Sequence, residues 1–255
     1  MNIILETLTI TNYVSTGVKG ADAVLGGKGI PRGSIVFVLG VPGGGKTTFA
    51  FQYLIDGIIN HGEKGVYISL DENTISLEQN ALSVGLDLKK HIDNNNLKIV
   101  NVSPLSPGSD SGKFGKVTVG KSSFSLVSLI DTIGKNVREL SAKRLVIDPV
   151  ATLVLYYPNL HERRTAVLDL MREITSTECT TLLISELSTS KLEREYQFEE
   201  YLSHGVILLR KLSRPGGVIR VFSVEKMRGV EHDTQLHPYK IGEGGIEVFS
   251  SEIAL

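Results

Sequence analysis

The chain has 255 residues, of which 41% are hydrophobic and 22% are charged, and these proportions exclude a disordered or collagen-like chain. Its 27 basic and 28 acidic residues nearly cancel, so the total charge does not indicate a nucleic-acid-binding protein, although a local basic patch is compatible with a neutral total. The single cysteine, Cys179, excludes an internal disulfide and a cysteine-cluster metal site.

The length corresponds to one large domain or two small ones, at about 100–200 residues per domain. The sequence predicts no membrane span, because it contains no run of about 18 apolar residues. The first residues, Met1–Glu6, lack the basic start and the long apolar stretch of a signal peptide. These observations together predict a cytoplasmic protein.

Short runs rich in Val, Ile and Leu alternate with helical stretches, which is typical of a mostly parallel sheet flanked by helices in an α/β fold. From residue 205 onward, short strands follow one another through Gly-rich turns, and this change predicts a C-terminal antiparallel extension of the same sheet. The predicted strands are Ser34–Leu39, Gly65–Leu70, Leu97–Val102, Arg144–Ile147, Thr180–Ser185, Gly205–Arg210, Val218–Glu225 and Ile246–Phe249.

The sequence therefore predicts one domain over 1–255, with an N-terminal lead-in over 1–33 and a C-terminal β extension over 205–255. Residues 103–123 interrupt the alternation, because prolines, glycines, serines and lysines dominate there. A loop of this length is either a functional lid or a mobile segment, and its composition favours a mobile loop.

The strongest chemical signal is the run Gly40–Thr47, GVPGGGKT, which fits the phosphate-loop pattern G-x-x-x-x-G-K-[ST] at every defined position. Glycine-rich backbone N–H groups and the positive end of the following helix dipole both favour phosphate. The pattern predicts that Lys46 bridges the β- and γ-phosphates of a nucleotide and that Thr47 places its hydroxyl on Mg²⁺. The predicted nucleotide-binding residues are Gly40, Pro42, Gly43, Gly44, Gly45, Lys46, Thr47 and Thr48.

Carboxylates follow two other predicted strands. Asp148 ends an apolar run, which is the Walker B pattern, and its carboxylate complements the loop because Mg²⁺ held by phosphates keeps waters that need an acceptor. Asp71 and Glu72 end the strand at Gly65–Leu70. Because neighbouring strand side chains point to opposite sides, one of the two is expected to face the γ-phosphate as the general base, and the choice between them stays open.

With these residues in place, the sequence resembles the KaiC-like group of RecA-superfamily ATPases, relatives of the RadA-type recombinases, over nearly the whole chain. An N-terminal signature over Ser15–Ser34 runs into the phosphate loop, Ser69–Glu72 stands at the family's acidic pair, and Thr181–Glu186 matches the strand after Walker B. The run Lys226–His232, KMRGVEH, matches the late motif whose lysine and arginine reach a neighbouring subunit's nucleotide.

The resemblance implies Mg²⁺-dependent hydrolysis of ATP by a homo-oligomer, a hexameric ring whose nucleotide state switches a protein partner. It implies catalytic roles for Lys46, Asp71 or Glu72, and for Lys226 and Arg228 acting in trans. The clock protein of this group carries two such domains and, in the second, an adjacent Ser–Thr phosphorylation pair. The aligned stretch here is Phe198–Tyr201, so autokinase activity does not carry over.

Two other functions stay open, namely a recombinase-like ATPase that binds single-stranded DNA and a nucleotide-binding scaffold with negligible turnover. In recombinase relatives the segments matching 156–164 and 187–201 line a central channel. Here glutamates are interspersed among their cations, so single-stranded DNA is possible but not favoured. The residues that favour DNA are Arg163, Arg164, Lys191, Arg194, Tyr156, Tyr157 and Tyr196.

The resemblance also makes a specific statement about strand order. The Thr180–Ser185 strand is expected between the phosphate-loop strand and the Walker B strand. The Gly65–Leu70 strand is expected on the far side of Walker B, which would bring Asp71 or Glu72 toward the γ-phosphate.

Overall fold

The structure is a computed structural model that describes residues 13–102, 125–154, 157, 159–187, 192–194 and 196–254. The loop predicted at 103–123 and the first twelve residues of the predicted lead-in lie outside the described residues. Among the described residues, no helix is both long and apolar enough to cross a membrane.

In the middle of the described chain one or two helices separate each strand from the next, whereas the last four strands follow one another directly. The strands are β1 (Tyr13–Val14), β2 (Ile30–Pro31), β3 (Ile35–Gly40), β4 (Gly65–Ser69), β5 (Leu97–Asn101), β6 (Arg144–Asp148), β7 (Thr180–Glu186), β8 (Gly205–Arg214), β9 (Gly217–Met227), β10 (His237–Gly242) and β11 (Gly245–Val248). The helices are α1 (Ala21–Val24), α2 (Lys46–His61), α3 (Thr74–Leu82), α4 (Leu88–Asp93), α5 (Leu126–Leu140), α6 (Ala151–Val154), α7 (Leu160–Ser176) and α8 (Phe198–Leu202).

Nine of the strands in the described residues form one sheet in the order β11-β10-β9-β8-β3-β7-β6-β4-β5, and β1 pairs with β2 separately. The six strands from β8 to β5 in this order are parallel, whereas β9, β10 and β11 pair antiparallel. The predicted α/β fold with a C-terminal antiparallel extension is confirmed, with the refinement that the first strand of that extension, β8, runs parallel to β3.

Helices cover both faces of the sheet, and alternate residues of β3 show why. Val36 and Val38 pack in one hydrophobic cluster with α2, whereas Ile35, Phe37 and Leu39 pack in a second cluster with α5 and α7. A strand buried on both faces needs apolar residues at every position, and this explains the unbroken apolar run before the phosphate loop.

The predicted strand order is confirmed. β7 lies between β3 and β6, since Thr181 pairs with Ile35 on one side and with Leu145 on the other. β4 pairs with the far side of β6, where Ser69 stands opposite Asp148. The carboxyl ends of β3, β7, β6 and β4 therefore meet at one edge of the sheet, which is where ligands bind in open α/β sheets.

β10 was not predicted from the sequence, because Pro238 and Lys240 break its apolar pattern. Its pairing with β9 involves His237 and Pro238, and its pairing with β11 involves Tyr239 to Gly242. β8 and β9 also extend beyond their predicted bounds, because they continue to the turn between Arg214 and Gly217.

Arg144 at the start of β6 connects three other positions of the chain through hydrogen bonds. Its side chain is fully buried, and its guanidinium donates to Glu63 Oε2 at 2.8 Å, to the Tyr53 carbonyl at 2.6 Å and to the Ser15 carbonyl at 3.0 Å. The guanidinium occupies the space beside Gly57 of α2, where a Cβ would lie 2.3 Å from Arg144 Nε. A glycine inside this helix is therefore required by close packing.

We expect Gly57→Ala to lower the free energy of unfolding by about 1–3 kcal/mol, because the added methyl must displace a buried, hydrogen-bonded arginine. Gly134→Ala in α5 is the matched control. Its Cβ would lie 3.0 Å from the end of the exposed Arg138 side chain, which can move, so the higher helix propensity of alanine should stabilise by up to about 1 kcal/mol. Urea denaturation of both variants measures the difference, and equal effects would contradict this account.

Candidate functional site

The phosphate loop connects the end of β3 at Gly40 to the start of α2 at Lys46. Gly43 and Gly45 have φ angles of 66° and 89°, in the left-handed region that favours glycine. A Cβ on Gly45 would also lie 2.8 Å from Ile241 of β10. Gly45, which the motif requires, is thus needed for the loop's conformation as well as for close approach of a phosphate, and Gly43 is a further glycine that the conformation favours.

The predicted nucleotide-binding residues lie together in this loop. Gly43 to Thr48 line one cavity, which Phe51, Glu72 and Asn80 complete. Gly40 and Pro42 contribute carbonyl groups, which accept hydrogen bonds from Lys46 Nζ and Lys211 Nζ, each at 2.9 Å.

The C-terminal strands support the loop from the side, and none of these contacts was predicted. Tyr239 of β10 donates its hydroxyl to the Gly44 carbonyl at 2.5 Å. Gln52 of α2 exchanges two hydrogen bonds with the backbone of Ile246 in β11, at 2.7 and 3.1 Å. The buried, polar Gln52 inside an otherwise apolar helix face was the sequence signal for such a contact.

Lys46 faces a second cavity, which contains most of the predicted catalytic groups. Burial lowers the pKa of the Lys46 ammonium, and the negative charges of Asp148 and then Glu186 partly oppose this shift. The cavity is lined by Lys46, Thr47, Tyr67, Ser69, Asp71, Glu72, Leu77, Asp148, Pro149 and Glu186. Glu186, at the end of β7, has a carboxylate at this edge that sequence reasoning did not single out.

Asp148 and Thr47, the predicted metal residues, are in direct contact. Asp148 Oδ2 accepts hydrogen bonds from Thr47 Oγ1 at 3.0 Å and from the Tyr67 hydroxyl at 2.5 Å. Burial raises the pKa of Asp148, against the opposing effects of these two hydrogen bonds and of the Lys46 charge. An adjacent hydroxyl and carboxylate are the hard oxygen donors that suit Mg²⁺, so the residues present fit this ion.

Tyr67 is a site residue that the sequence analysis missed. It lies on β4, its ring is buried, and its hydroxyl fixes the carboxylate of Asp148 on the neighbouring strand. Burial and the Asp148 charge hold the pKa of Tyr67 well above its ordinary value, so its hydroxyl stays protonated and donates. A tyrosine within a fully buried strand was the available signal, since its hydroxyl needs a partner.

Asp71 and Glu72 both face the cavity that contains Lys46. The expectation that only one of them faces the γ-phosphate rested on strand alternation, which does not apply because β4 ends at Ser69. Glu72 is the better anchored of the two. Its carbonyl accepts hydrogen bonds from Ser69 Oγ at 2.6 Å and Asn101 Nδ2 at 2.7 Å, and its carboxylate accepts one from Asn80 at 3.1 Å.

The environment of Glu72 makes its carboxylate more basic. Burial raises the pKa of Glu72, the negative charges of Asp148 and Asp71 raise it further, and the hydrogen bond from Asn80 opposes the shift. Glu72 also lines both cavities at the loop, whereas Asp71 lines one and is exposed. These features favour Glu72 as the proton acceptor.

Lys226 and Arg228 are not brought to the phosphate loop of their own chain. Lys226 pairs with Val206 on β8, which stands level with Phe37, and the Arg228 amide binds the His204 carbonyl at the amino end of β3. At about 3.3 Å per residue, Gly40 lies about 10 Å along β3 from Phe37 and about 16 Å from Ile35. β9 runs antiparallel to β8, so the chain returns toward the edge of the sheet opposite the phosphate loop. The two cations lie at the end of β9 and are therefore nearer to that edge.

The two cations share one face, as their spacing predicts, although β9 ends at Met227 and Arg228 follows it. Both donate to the Tyr201 carbonyl, Lys226 Nζ at 3.2 Å and Arg228 Nη2 at 3.1 Å. Burial and the Arg228 charge lower the pKa of Lys226. His232, from the same motif, is half-buried and hydrogen-bonds with the Val230 carbonyl at 3.3 Å.

The segments considered for DNA are partly described. Arg194 does not reach solvent, because its side chain is 3% exposed and ion-paired with Glu200 and Glu225. Arg164 stacks on the Phe198 ring at 4.7 Å, whereas Tyr196 is 49% exposed. Tyr156 and Lys191 lie outside the described residues. Burial of Arg194 removes one of the cations on which a phosphate-binding surface would depend.

Comparisons with known proteins show which family the chain is similar to. The family described as ATPase: KaiC matches residues 14–253. A UPF0273 protein from Aeropyrum pernix is 32% identical over 244 residues, covering 96% of each chain. The circadian clock oscillator protein KaiC of Prochlorococcus marinus subsp. pastoris is 33% identical over 238 residues, which are 93% of this chain and 45% of that protein. The chain thus spans about half the length of this clock relative.

A solved structure of a KaiC-like protein from the hyperthermophilic archaeon Pyrococcus horikoshii OT3 has a TM-score of 0.79 to this chain at 29% identity. The likeness covers 94% of this chain and 99% of that one. The family match supports nucleotide binding by a RecA-like core, in agreement with the phosphate loop and the adjoining carboxylates. The chain belongs to the KaiC family of ATPases.

Proposed function

We propose that this protein is a cytoplasmic, Mg²⁺-dependent ATPase that assembles as a homo-oligomeric ring, six-membered by family resemblance, and whose nucleotide state switches a protein partner. One observation carries the proposal. Lys46, Thr47, Asp148 and Glu72 line one cavity, whereas Lys226 and Arg228 of the same chain do not line it and lie toward the other end of β3. A neighbouring copy would bring its cation pair to this cavity.

Binding of ATP would depend on the loop and on the start of α2. Backbone N–H groups of the glycine run, the helix dipole and the Lys46 ammonium would together neutralise the β- and γ-phosphates. Thr47 and Asp148 would hold Mg²⁺, which would supply further neutralisation of the phosphate charge. Tyr67 would keep the Asp148 carboxylate turned toward Thr47.

Hydrolysis would need a group that accepts a proton from the attacking water. Glu72 would take this proton as the water oxygen bonds to the γ-phosphorus and the bond from phosphorus to the ADP oxygen breaks. The raised pKa of Glu72 and its hydrogen bond from Asn80 support this assignment, because they combine basicity with a fixed orientation. Asp71 would supply negative charge that raises the basicity of Glu72.

The cations would act between subunits. Lys226 and Arg228 of one copy would offset the charge that develops on the γ-phosphate held by the next copy, as arginine fingers do in other phosphoryl-transfer enzymes. Such a contact is heterologous, because different surfaces of the two copies meet, and heterologous contacts close into rings or extend as filaments.

We expect Glu72→Gln to leave ATP bound but to lower turnover by about 100-fold or more, because the amide keeps the shape of the side chain and loses its basicity. Asp71→Asn is the matched control and should lower turnover less. Lys46→Ala should instead weaken ATP binding, by about 2 kcal/mol or more. Phosphate release in a single turnover, combined with equilibrium ATP binding, separates these effects.

Equal and near-normal turnover by both amide variants would place the base elsewhere. Absence of phosphate release from the unsubstituted protein would instead support a nucleotide-binding scaffold.

A mixing experiment tests the shared site. Arg228→Ala should lower turnover of the assembled protein by about 10³-fold while the ATP affinity of a dilute chain is kept. A mixture of Arg228→Ala and Lys46→Ala subunits should regain part of the lost turnover, because some interfaces then join an intact phosphate loop to an intact cation pair. Turnover and light scattering are measured on the same samples across a range of protein concentrations.

Full turnover from a strictly monomeric sample, or no recovery in the mixture, would contradict the shared site. The scattering mass also tests the predicted ring size, since a hexamer has six times the mass of the chain.

A further inference from the structure

Lys226 and Arg228 are held against helix α8. Lys226 Nζ donates to the Glu200 carbonyl at 2.8 Å, and both cations donate to the Tyr201 carbonyl. These carbonyls belong to the last turn of α8, where backbone acceptors lack partners within the helix and attract cations. The position of the cation pair therefore depends on the position of α8.

Helix α8 has five residues, which is far below the about 12–15 residues that an isolated helix needs. Its place is fixed instead by the side chain of Glu200, which accepts a bidentate pair of hydrogen bonds from Arg194 at 2.7 and 2.5 Å. The same carboxylate also accepts a hydrogen bond from the backbone N–H of Gln197, at the start of the helix, at 2.9 Å. Both Arg194 and Glu200 have side chains only 3% exposed.

Arg194 holds the strand as well as the helix. Its guanidinium also binds the carboxylate of Glu225, the residue before Lys226 on β9. The register of β9 against β8 shifts at this point, because Val206 pairs with Lys226 and Ile207 with Val224. One buried guanidinium thus connects the strand that carries Lys226 to the helix whose carbonyls hold it.

We propose that Arg194 is a positioning residue for the cation pair, which fixes Lys226 and Arg228 in the arrangement presented to a neighbouring copy. The inference rests on the proposed action of these cations in trans. A buried ion cluster adds little to stability compared with apolar packing, but it imposes a fixed geometry on the groups that it joins. Fixed cations aid phosphoryl transfer because little reorganisation remains to be made during the reaction.

Arg194→Met alone would leave two carboxylates without their buried partner, which destabilises strongly. The main variant is therefore Arg194→Met with Glu200→Gln and Glu225→Gln, which removes the charges together. We expect it to fold, to bind ATP normally as a dilute chain and to lose about 100-fold in turnover when assembled, the effect of a small misplacement of groups at a reacting centre. Circular dichroism measures folding, an equilibrium assay measures ATP binding, and phosphate release measures turnover.

The decisive measurement is subunit mixing. The triple variant keeps its phosphate loop and lacks a well-placed cation pair, whereas Lys46→Ala subunits have the reverse defect. A mixture should therefore regain activity, as the mixture with Arg228→Ala should. Damage to the variant's own ATP site would give no such recovery, so mixing separates positioning in trans from a general structural effect.

Arg210→Met is the matched control, because Arg210 on β8 is a second buried arginine beside the same charges. Its charge lies near those of Glu225, Arg194 and Glu200, but among the described residues its guanidinium hydrogen-bonds Ser223 at 3.3 Å and neither α8 nor Glu225. Its substitution should leave assembled turnover unchanged. Arg194→Lys is a second variant in case the triple variant misfolds, since lysine keeps the charge but lacks the bidentate fork, and it should show a smaller loss that mixing restores.

Normal turnover by the triple variant, or an equal loss in Arg210→Met, would overturn the assignment of Arg194. So would a loss that Lys46→Ala subunits do not restore while they do restore Arg228→Ala, and in that case the shared site itself would stand. If they restore neither variant, the shared site is wrong and the role of Arg194 falls with it.

Discussion

The hydrogen bond between Thr47 and Asp148 is the contact on which the candidate site depends. It joins the first turn of α2, which follows the phosphate loop, to the end of β6, two strands away from β3. The carboxylate is nine-tenths buried, so it needs donors, and Tyr67 supplies a second one from β4. One carboxylate oxygen thereby fixes the relative positions of three elements whose ends define the cavity.

The negative charge of Asp148 also changes the pKa values of two neighbouring groups. Its proximity raises the pKa of Glu72 and opposes the lowering of the Lys46 pKa by burial. The same negative charge therefore favours a more basic carboxylate on one side and a protonated lysine on the other. Both effects suit the proposed hydrolysis, in which Glu72 takes a proton and Lys46 remains a cation.

The buried strands and the loop followed from the sequence because local patterns carry them, whereas the strand order followed from the family resemblance. Apolar runs predict buried parallel strands, and the motif at Gly40–Thr47 fixes what lies at the end of one of them. The contacts made by Tyr67, Tyr239 and Gln52 did not follow, because each joins residues that are far apart in the sequence. The Tyr239 hydroxyl, for example, reaches a carbonyl 195 positions away.

The acidic pair illustrates a second limit. Alternation along a strand predicts opposite faces only while the strand continues, and β4 ends two residues before Asp71. The sequence pattern identified both residues and the edge of the sheet where they lie. Their orientation depends on the bend after Ser69 and on the hydrogen bond from Ser69 Oγ to the Glu72 carbonyl. Side-chain direction beyond a strand end depends on such local bonds.

Two reversals of the chain explain both the supported loop and the remote cation pair. β8 follows β3 past the phosphate loop, where Lys211 binds the Pro42 carbonyl, and the turn after Arg214 then sends β9 back toward the other edge. β10 reverses again and brings Tyr239 to the Gly44 carbonyl. Because β9 must run antiparallel between these two supporting strands, its last residues finish away from their own loop. A topology that stabilises the phosphate loop from within one chain therefore directs Lys226 and Arg228 away from that loop, and this is the arrangement that the proposed contact with a second copy requires.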